Sequence, residues 1–165
     1  MKTLLSFLVV LSLAACGQTD VDKVMDGYIF LYKTKAIGKA FGENKFFSDV
    51  KWSAHDSHEE VKQISAECTL KGDLVLSYKN RIRRQVDEES ALAIKKINAI
   101  DRTESMKYIY SFKFYASNSS IDIGVGYNVA YDSSGKECGR VGNNDLGSIY
   151  DNSRVEDMIV FCDLE

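Results

Sequence analysis

The sequence predicts an α+β domain: a twisted antiparallel sheet with short helices packed on one face. Three observations predict it. Apolar residues alternate with polar ones at Ile64, Ala66, Cys68 and Leu70, and again at Tyr108, Tyr110, Phe112 and Phe114. That period of two marks half-buried strands. The second run and another from Ile121 to Tyr131 flank a polar stretch at 116–120, which reads as a long hairpin and so as antiparallel pairing. Between the strand patterns lie stretches with helical spacing of apolar residues.

The elements follow in chain order. Asp20 to Asp26 suits one helical turn. Tyr28-Ile29-Phe30-Leu31-Tyr32 is a compact apolar and aromatic run, read as a strand. Thr34 is placed to cap a short helix with Ile37, Ala40 and Phe41 on one face, and Gly42 can end it. Phe46 and Phe47 then serve as core anchors. Val50 to Ala54 reads as a strand carrying Trp52, the only Trp. His55 to Glu60 reads as a polar turn before the strand that puts Cys68 on the core face. Gly72-Asp73 is expected to turn, with Leu74 to Tyr78 returning as a partner strand. Asp87-Glu88-Glu89-Ser90 opens a helix running to about Ile100, with acids in its first turn and Lys95-Lys96 later, as the helix dipole prefers. Its apolar stripe is Val86, Ala93, Ile97 and Ile100, with Ile94 beside it. In the hairpin's second arm Ile121, Ile123, Val125, Tyr127, Val129 and Tyr131 form the alternating set. Asp132 to Gly135 turns into a strand carrying Cys138, a Gly/Asn-rich loop spans Gly142 to Gly147, and Met158 to Cys162 closes the chain as a buried strand.

The first residues read differently. Met1-Lys2 supplies one positive charge, and an apolar run of twelve residues follows from Leu4 to Ala15. A membrane-spanning helix needs about 20 such residues, so the run reads as the core of a secretion signal. Its exit, Leu13-Ala14-Ala15-Cys16, resembles the lipobox of bacterial lipoprotein precursors. That resemblance implies a diacylglyceryl thioether on Cys16, cleavage before it, and usually acylation of the new amino terminus, as with palmitate. The expected organisation is a cleaved signal at 1–15, a lipidated Cys and short tether at 16–19, and a single periplasmic domain at 20–165. Gly17 lacks the Asp that resembles an inner-membrane retention signal, which points, in a cell with two membranes, to the outer membrane, facing the periplasm. Ala36-Ile37-Gly38-Lys39-Ala40-Phe41 with Phe46-Phe47 and Val50-Lys51-Trp52 is similar to a pattern in small uncharacterised bacterial envelope lipoproteins, a group that implies no activity.

Composition bounds the function. Removing residues 1–15 leaves 150 residues, enough for one domain with a proper core. Net charge is −3 for the whole chain, and −4 once Lys2 leaves with the signal. A mildly acidic exported domain is not a general nucleic-acid binder. There is no Pro, which excludes a polyproline stalk. With Cys16 lipidated, Cys68, Cys138 and Cys162 remain, and an oxidising compartment predicts one disulfide among three possible pairings.

Candidate chemistry is sparse. His55 and His58 are the only histidines, and with Asp56, Glu59 and Glu60 they offer a zinc or copper site. The same residues are explained as a solvated turn, and no metal or other cofactor is expected. No G-x-S-x-G, no Cys/His signature and no phosphate loop is present, so no catalytic residue is assigned. Lys79, Arg81, Arg83 and Arg84 cluster and suit contact with an anionic surface, or simply a solvated strand end. The aromatic stripe from Tyr108 to Phe114 reads as core before it reads as a binding platform. Together these predict a non-catalytic, membrane-tethered binding or accessory module, partnered through its lipid by the membrane and by an envelope protein. An inhibitor, immunity or exclusion lipoprotein against a toxin, lysozyme or phage is the alternative. A metal carrier or enzyme using His55 and His58 is the third.

Overall fold

A computed structural model of the protein describes residues 18–58, 60–86, 91–143, 146–153 and 159–163. The signal segment, Cys16 and Gly17 lie outside them, as do Glu59, the 87–90 helix opening, part of the Gly/Asn-rich loop, and Met158.

Five strands form one sheet in the order β1-β2-β3-β4-β5, each antiparallel to its neighbour. They are β1 (Phe47–His58), β2 (Val61–Leu70), β3 (Ser105–Tyr115), β4 (Ser120–Tyr131) and β5 (Glu137–Gly142). The helices are α1 (Asp20–Asp26), α2 (Ile37–Gly42), α3 (Gly72–Gln85), α4 (Ala91–Arg102) and α5 (Gly147–Asp151). The α+β architecture expected from the sequence is the one observed.

The two clearest alternations behave as their period requires. Ile64, Ala66, Cys68 and Leu70 are buried, as are Tyr108, Tyr110, Phe112 and Phe114. On this face the helical layer adds Ile37, Ala40 and Phe41, spaced to share one side of α2 and fully buried. Phe41 meets Trp52 and Phe112 edge-on at 5.5 and 5.9 Å between ring centroids. Phe47 is buried and Phe46 packs against the same core. Thr19 caps α1, making a capping box with Asp22.

Five expectations are corrected. Residues 28–32 form no strand; Phe30–Tyr32 is a short 3-10 turn. Ile29 is buried whereas Tyr28, Phe30 and Leu31 are exposed, a pattern that fits neither face of a strand. The stretch from Leu74 to Tyr78 is helix, not a partner strand. Val75 and Tyr78 are buried and Ile82 half-buried, the spacing of one helix face, and Asp73 in the first turn with Arg83 and Arg84 in the last suits the dipole. The polar turn expected at 55–60 is shorter, because β1 continues through His55 opposite Gln63 to His58 opposite Val61. Residues 159–163 are not a strand either. They lie along the start of β5, where the Asp163 N–H donates to the Cys138 carbonyl at 2.7 Å and the Cys162 N–H to Thr103 Oγ1 at 2.9 Å. Gly139 permits this approach: a Cβ there would sit 2.1 Å from the Phe161 carbonyl oxygen. Thr34 caps nothing; Ala36 is the N-cap of α2. The sequence pattern did not suggest α5.

The hairpin of β3 and β4 forms, but its second arm does not keep one face. Tyr110 opposes Gly126 whereas Phe112 opposes Ile123, so Ser111 faces two residues, a β-bulge. Ser111 Oγ both accepts from the Val125 N–H and donates to the Val125 carbonyl at 3.0 Å. Gly124 fits here because a Cβ would meet the Ser111 carbonyl oxygen at 2.5 Å. Past the bulge the parity reverses. Asn128 and Ala130 join the buried face opposite Tyr108 and Met106. Val125, Tyr127, Val129 and Tyr131 pass to the other face.

One stability consequence concerns acid. The Asp132 carboxylate closes the β4–β5 turn, accepting from Ser134 Oγ at 2.6 Å, the Ser134 N–H at 2.9 Å and the Lys136 N–H at 3.0 Å. These bonds, the Ser134 hydroxyl first, hold its carboxyl below the usual range, as the Thr19 hydroxyl does for Asp22. A carboxyl lowered on folding contributes stability above its unfolded value of about 4, and that stability is lost as pH falls through the folded value. Urea midpoints are therefore expected to drop between pH 7 and pH 3, and less steeply in Asp132→Asn.

Candidate functional site

Residues opposite one another in a sheet share a face, so the register defines what lies on the side away from the helices. Asp49, Thr69, Lys107, Val129 and Arg140 form one row across five strands. Lys51, Glu67, Ile109 and Tyr127 form the next. Val125 on this side is 44% exposed, and Ile109, Tyr127 and Tyr131 are half-buried. Val129, between Tyr127 and Tyr131 along the strand, is buried.

Cations and rings alternate on this strip. Lys107 Nζ donates to Glu67 Oε1 at 2.6 Å and lies 5.0 Å from the Tyr131 ring centroid. Arg140 donates twice to Glu137, at 2.7 Å to each carboxylate oxygen, and its guanidinium carbon lies 5.0 Å from the Tyr127 ring centroid. Charged heads over aromatic faces are attracted by the ring quadrupole, so each carboxylate and ring fixes its cation in place.

The titrations run the same way. The Glu67 hydrogen bond raises Lys107, the Glu137 hydrogen bond raises Arg140, and the Arg140 hydrogen bond lowers Glu137. Burial raises Tyr131. Every shift drives its group further into the form it already holds at neutral pH. The strip therefore offers fixed charges beside apolar and aromatic surface, which suits recognition of an amphipathic surface more than proton transfer.

The residues singled out from the sequence lie elsewhere. His55 is exposed on β1, its Nε2 3.2 Å from Ser53 Oγ. His58 ends β1, and its side chain lies outside the described part. Among the described residues no group of three His, Cys, Asp or Glu is placed to hold a metal ion. Lys79, Arg81, Arg83 and Arg84 sit on helix α3 rather than at a strand end. Lys79 Nζ donates to the Thr103 carbonyl at 2.6 Å, Arg83 pairs with Asp101, and the Arg81 guanidinium stacks 4.3 Å from the Tyr78 ring centroid. Arg84 is exposed beside Ser77 and Asn80 on the same helix. Three of the four thus have work inside the helical layer. The aromatic stripe from Tyr108 to Phe114 is core.

The cysteines divide cleanly. Cys138 and Cys162 form the disulfide, and Cys68 is a buried free thiol. Burial, and then the nearby Glu67 and Asp49 charges, raise Cys68 well above an ordinary thiol, so little of it is the reactive thiolate. Native protein is expected to leave Cys68 unlabelled by a thiol reagent, and denatured, unreduced protein to take up label there. Rapid labelling in the native state would contradict this burial.

No protein-family model, no curated protein and no solved structure shows significant similarity to this chain.

Proposed function

We propose that this chain is a lipoprotein tethered through Cys16 to the outer membrane, and that its α+β domain is a non-catalytic binding module of the cell envelope. The observation that carries the binding role is the open side of the sheet. Among the described residues the helices lie against the opposite face, and this one presents Ile109, Val125 and Tyr127 beside the held cations Lys107 and Arg140. The tether and the compartment rest on Leu13-Ala14-Ala15-Cys16 and on Gly17. The disulfide between Cys138 and Cys162 suits an oxidising compartment. The absence of recognisable nucleophile and phosphate-loop motifs from the sequence favours binding over catalysis.

The test places a photo-crosslinking residue at Val125 on the open side and at Leu92, exposed on α4, in intact cells. An envelope component captured from Val125 and not from Leu92 is the expected result. Equal capture from both, or capture from Leu92 alone, would refute the open face as the binding surface. Capture from Val125 only after challenge with a toxin, lysozyme or phage would select the inhibitor alternative.

A further inference from the structure

We propose that the segment from Tyr28 to Lys33 dips into the lipid surface that carries Cys16, as a second, protein-built contact with the same membrane. This rests on the lipid-anchor reading of Cys16. The segment is pinned from below. Ile29 is buried, Tyr32 stacks on Tyr150 with centroids 4.5 Å apart, and the Ile37 N–H donates to the Gly27 carbonyl at 2.9 Å, closing the base. Between these fastenings Tyr28, Phe30 and Leu31 turn outward, 58%, 78% and 73% exposed. Lys33 Nζ lies 4.3 Å from the Phe30 ring centroid. An aromatic and aliphatic tip with a lysine beside it is the arrangement that settles at a membrane interface, the apolar parts among acyl chains and the ammonium at the phosphates.

Position selects lipid over a protein partner. Thr19 caps α1, and Gln18 Nε2 donates to Asp26 Oδ2 at 2.6 Å, which turns the start of the domain back along the helix. Gln18, Gly27 and Tyr28 line one surface cleft. Cys16 is two residues from Gln18, at most about 7 Å of chain. Lipid chains on Cys16 therefore hold this end of the domain at the bilayer surface. The carboxylates of α1 do not oppose the contact strongly: Asp20 pairs with Lys23 at 2.9 Å, Asp22 bonds Thr19, and Asp26 takes the Gln18 amide. Lys35 pairs with Glu43 at 3.6 Å, leaving Lys33 as the cation at the tip.

The experiment uses the full chain, processed in cells, purified in detergent and reconstituted into phosphatidylethanolamine/phosphatidylglycerol vesicles whose acyl chains are brominated near the headgroup. Leu31→Trp reports on the segment, whose Tyr28 shares a cleft with Ser120 and Ile121 at the start of β4, and Ser133→Trp reports on the turn past the other end of β4, about 35 Å of strand away; wild type supplies the Trp52 background. The expected result is that Leu31→Trp loses most of its emission in brominated vesicles while Ser133→Trp keeps its own. Equal quenching at both positions, or none at Leu31→Trp, would overturn the proposal. The mass of the amino-terminal peptide from the same sample separates the two ideas. A lipidated Cys16 with unquenched Leu31→Trp leaves the anchor standing and removes the second contact. An unmodified Cys16 with no vesicle retention removes both.

Discussion

Phe41→Ala is expected to be the most damaging single core substitution in the helical layer, lowering the unfolding free energy by about 3–5 kcal/mol. Phe41 is fully buried, and its ring meets Trp52, Phe112 and Tyr110 from α2. It is thus a contact that couples the short helix to strands β1 and β3. Truncation to Cβ removes the transfer term and leaves a cavity walled by large rings that cannot collapse into it. A domain of this size typically has about 5–15 kcal/mol in hand, so the variant should fold but unfold about 10 °C lower. Phe41→Leu keeps most of the volume and should cost less than half as much. Thermal and urea unfolding of both variants checks this, and a Phe41→Ala loss below about 1 kcal/mol would mean the helix does not pack as described.

Removing the disulfide by Cys138→Ser with Cys162→Ser should cost about 3 kcal/mol. The bond closes a loop spanning 24 residues of sequence and ties the carboxy-terminal segment to β5. Without it the segment keeps the Cys162 N–H bond to Thr103 and the Asp163 N–H bond to position 138. Those bonds remain only while the segment stays in register, so proteolysis of native protein should begin at the carboxy terminus. A double variant as stable and as protease-resistant as wild type would show that the backbone bonds suffice. Neither this change nor Phe41→Ala touches Val125, Tyr127 or Arg140, so crosslinking from the open face should survive both at permissive temperature.

The strands were legible where one face is apolar throughout. β2 and β3 keep a strict period of two from Ile64 to Leu70 and from Tyr108 to Phe114, and burial follows it. Helix α3 was hidden because Leu74-Val75-Leu76 is a short apolar run, and such runs do not distinguish strand from helix by themselves. The wider spacing of Val75, Tyr78 and Ile82 carried the helical signal. The open face was hidden for another reason. Val125, Tyr127, Val129 and Tyr131 continue the alternation of Ile121 and Ile123 without a break in sequence, so they read as core. The bulge opposite Ser111 shifts them to the other side, and only Gly124 and Gly126 hinted at it, since a glycine inside a strand often marks a bulge. Lys107 and Glu67 are 40 residues apart and meet only through strand register, and Glu137 and Arg140, three residues apart on β5, reach the strip only through the pairing of β5 with β4. The run from Tyr28 to Tyr32 had the composition of a strand but no place at a sheet edge.

The lipid anchor at Cys16 is tested most directly by the mass of the mature amino terminus, taken on protein isolated from the membranes of a two-membrane bacterium expressing the full chain. The expected product is a chain that begins at Cys16 and carries a diacylglyceryl thioether there, with an acylated α-amino group, and a Cys16→Ala variant that is not processed. A chain that keeps Met1, or begins at an unmodified residue and leaves the membrane on washing, would contradict it.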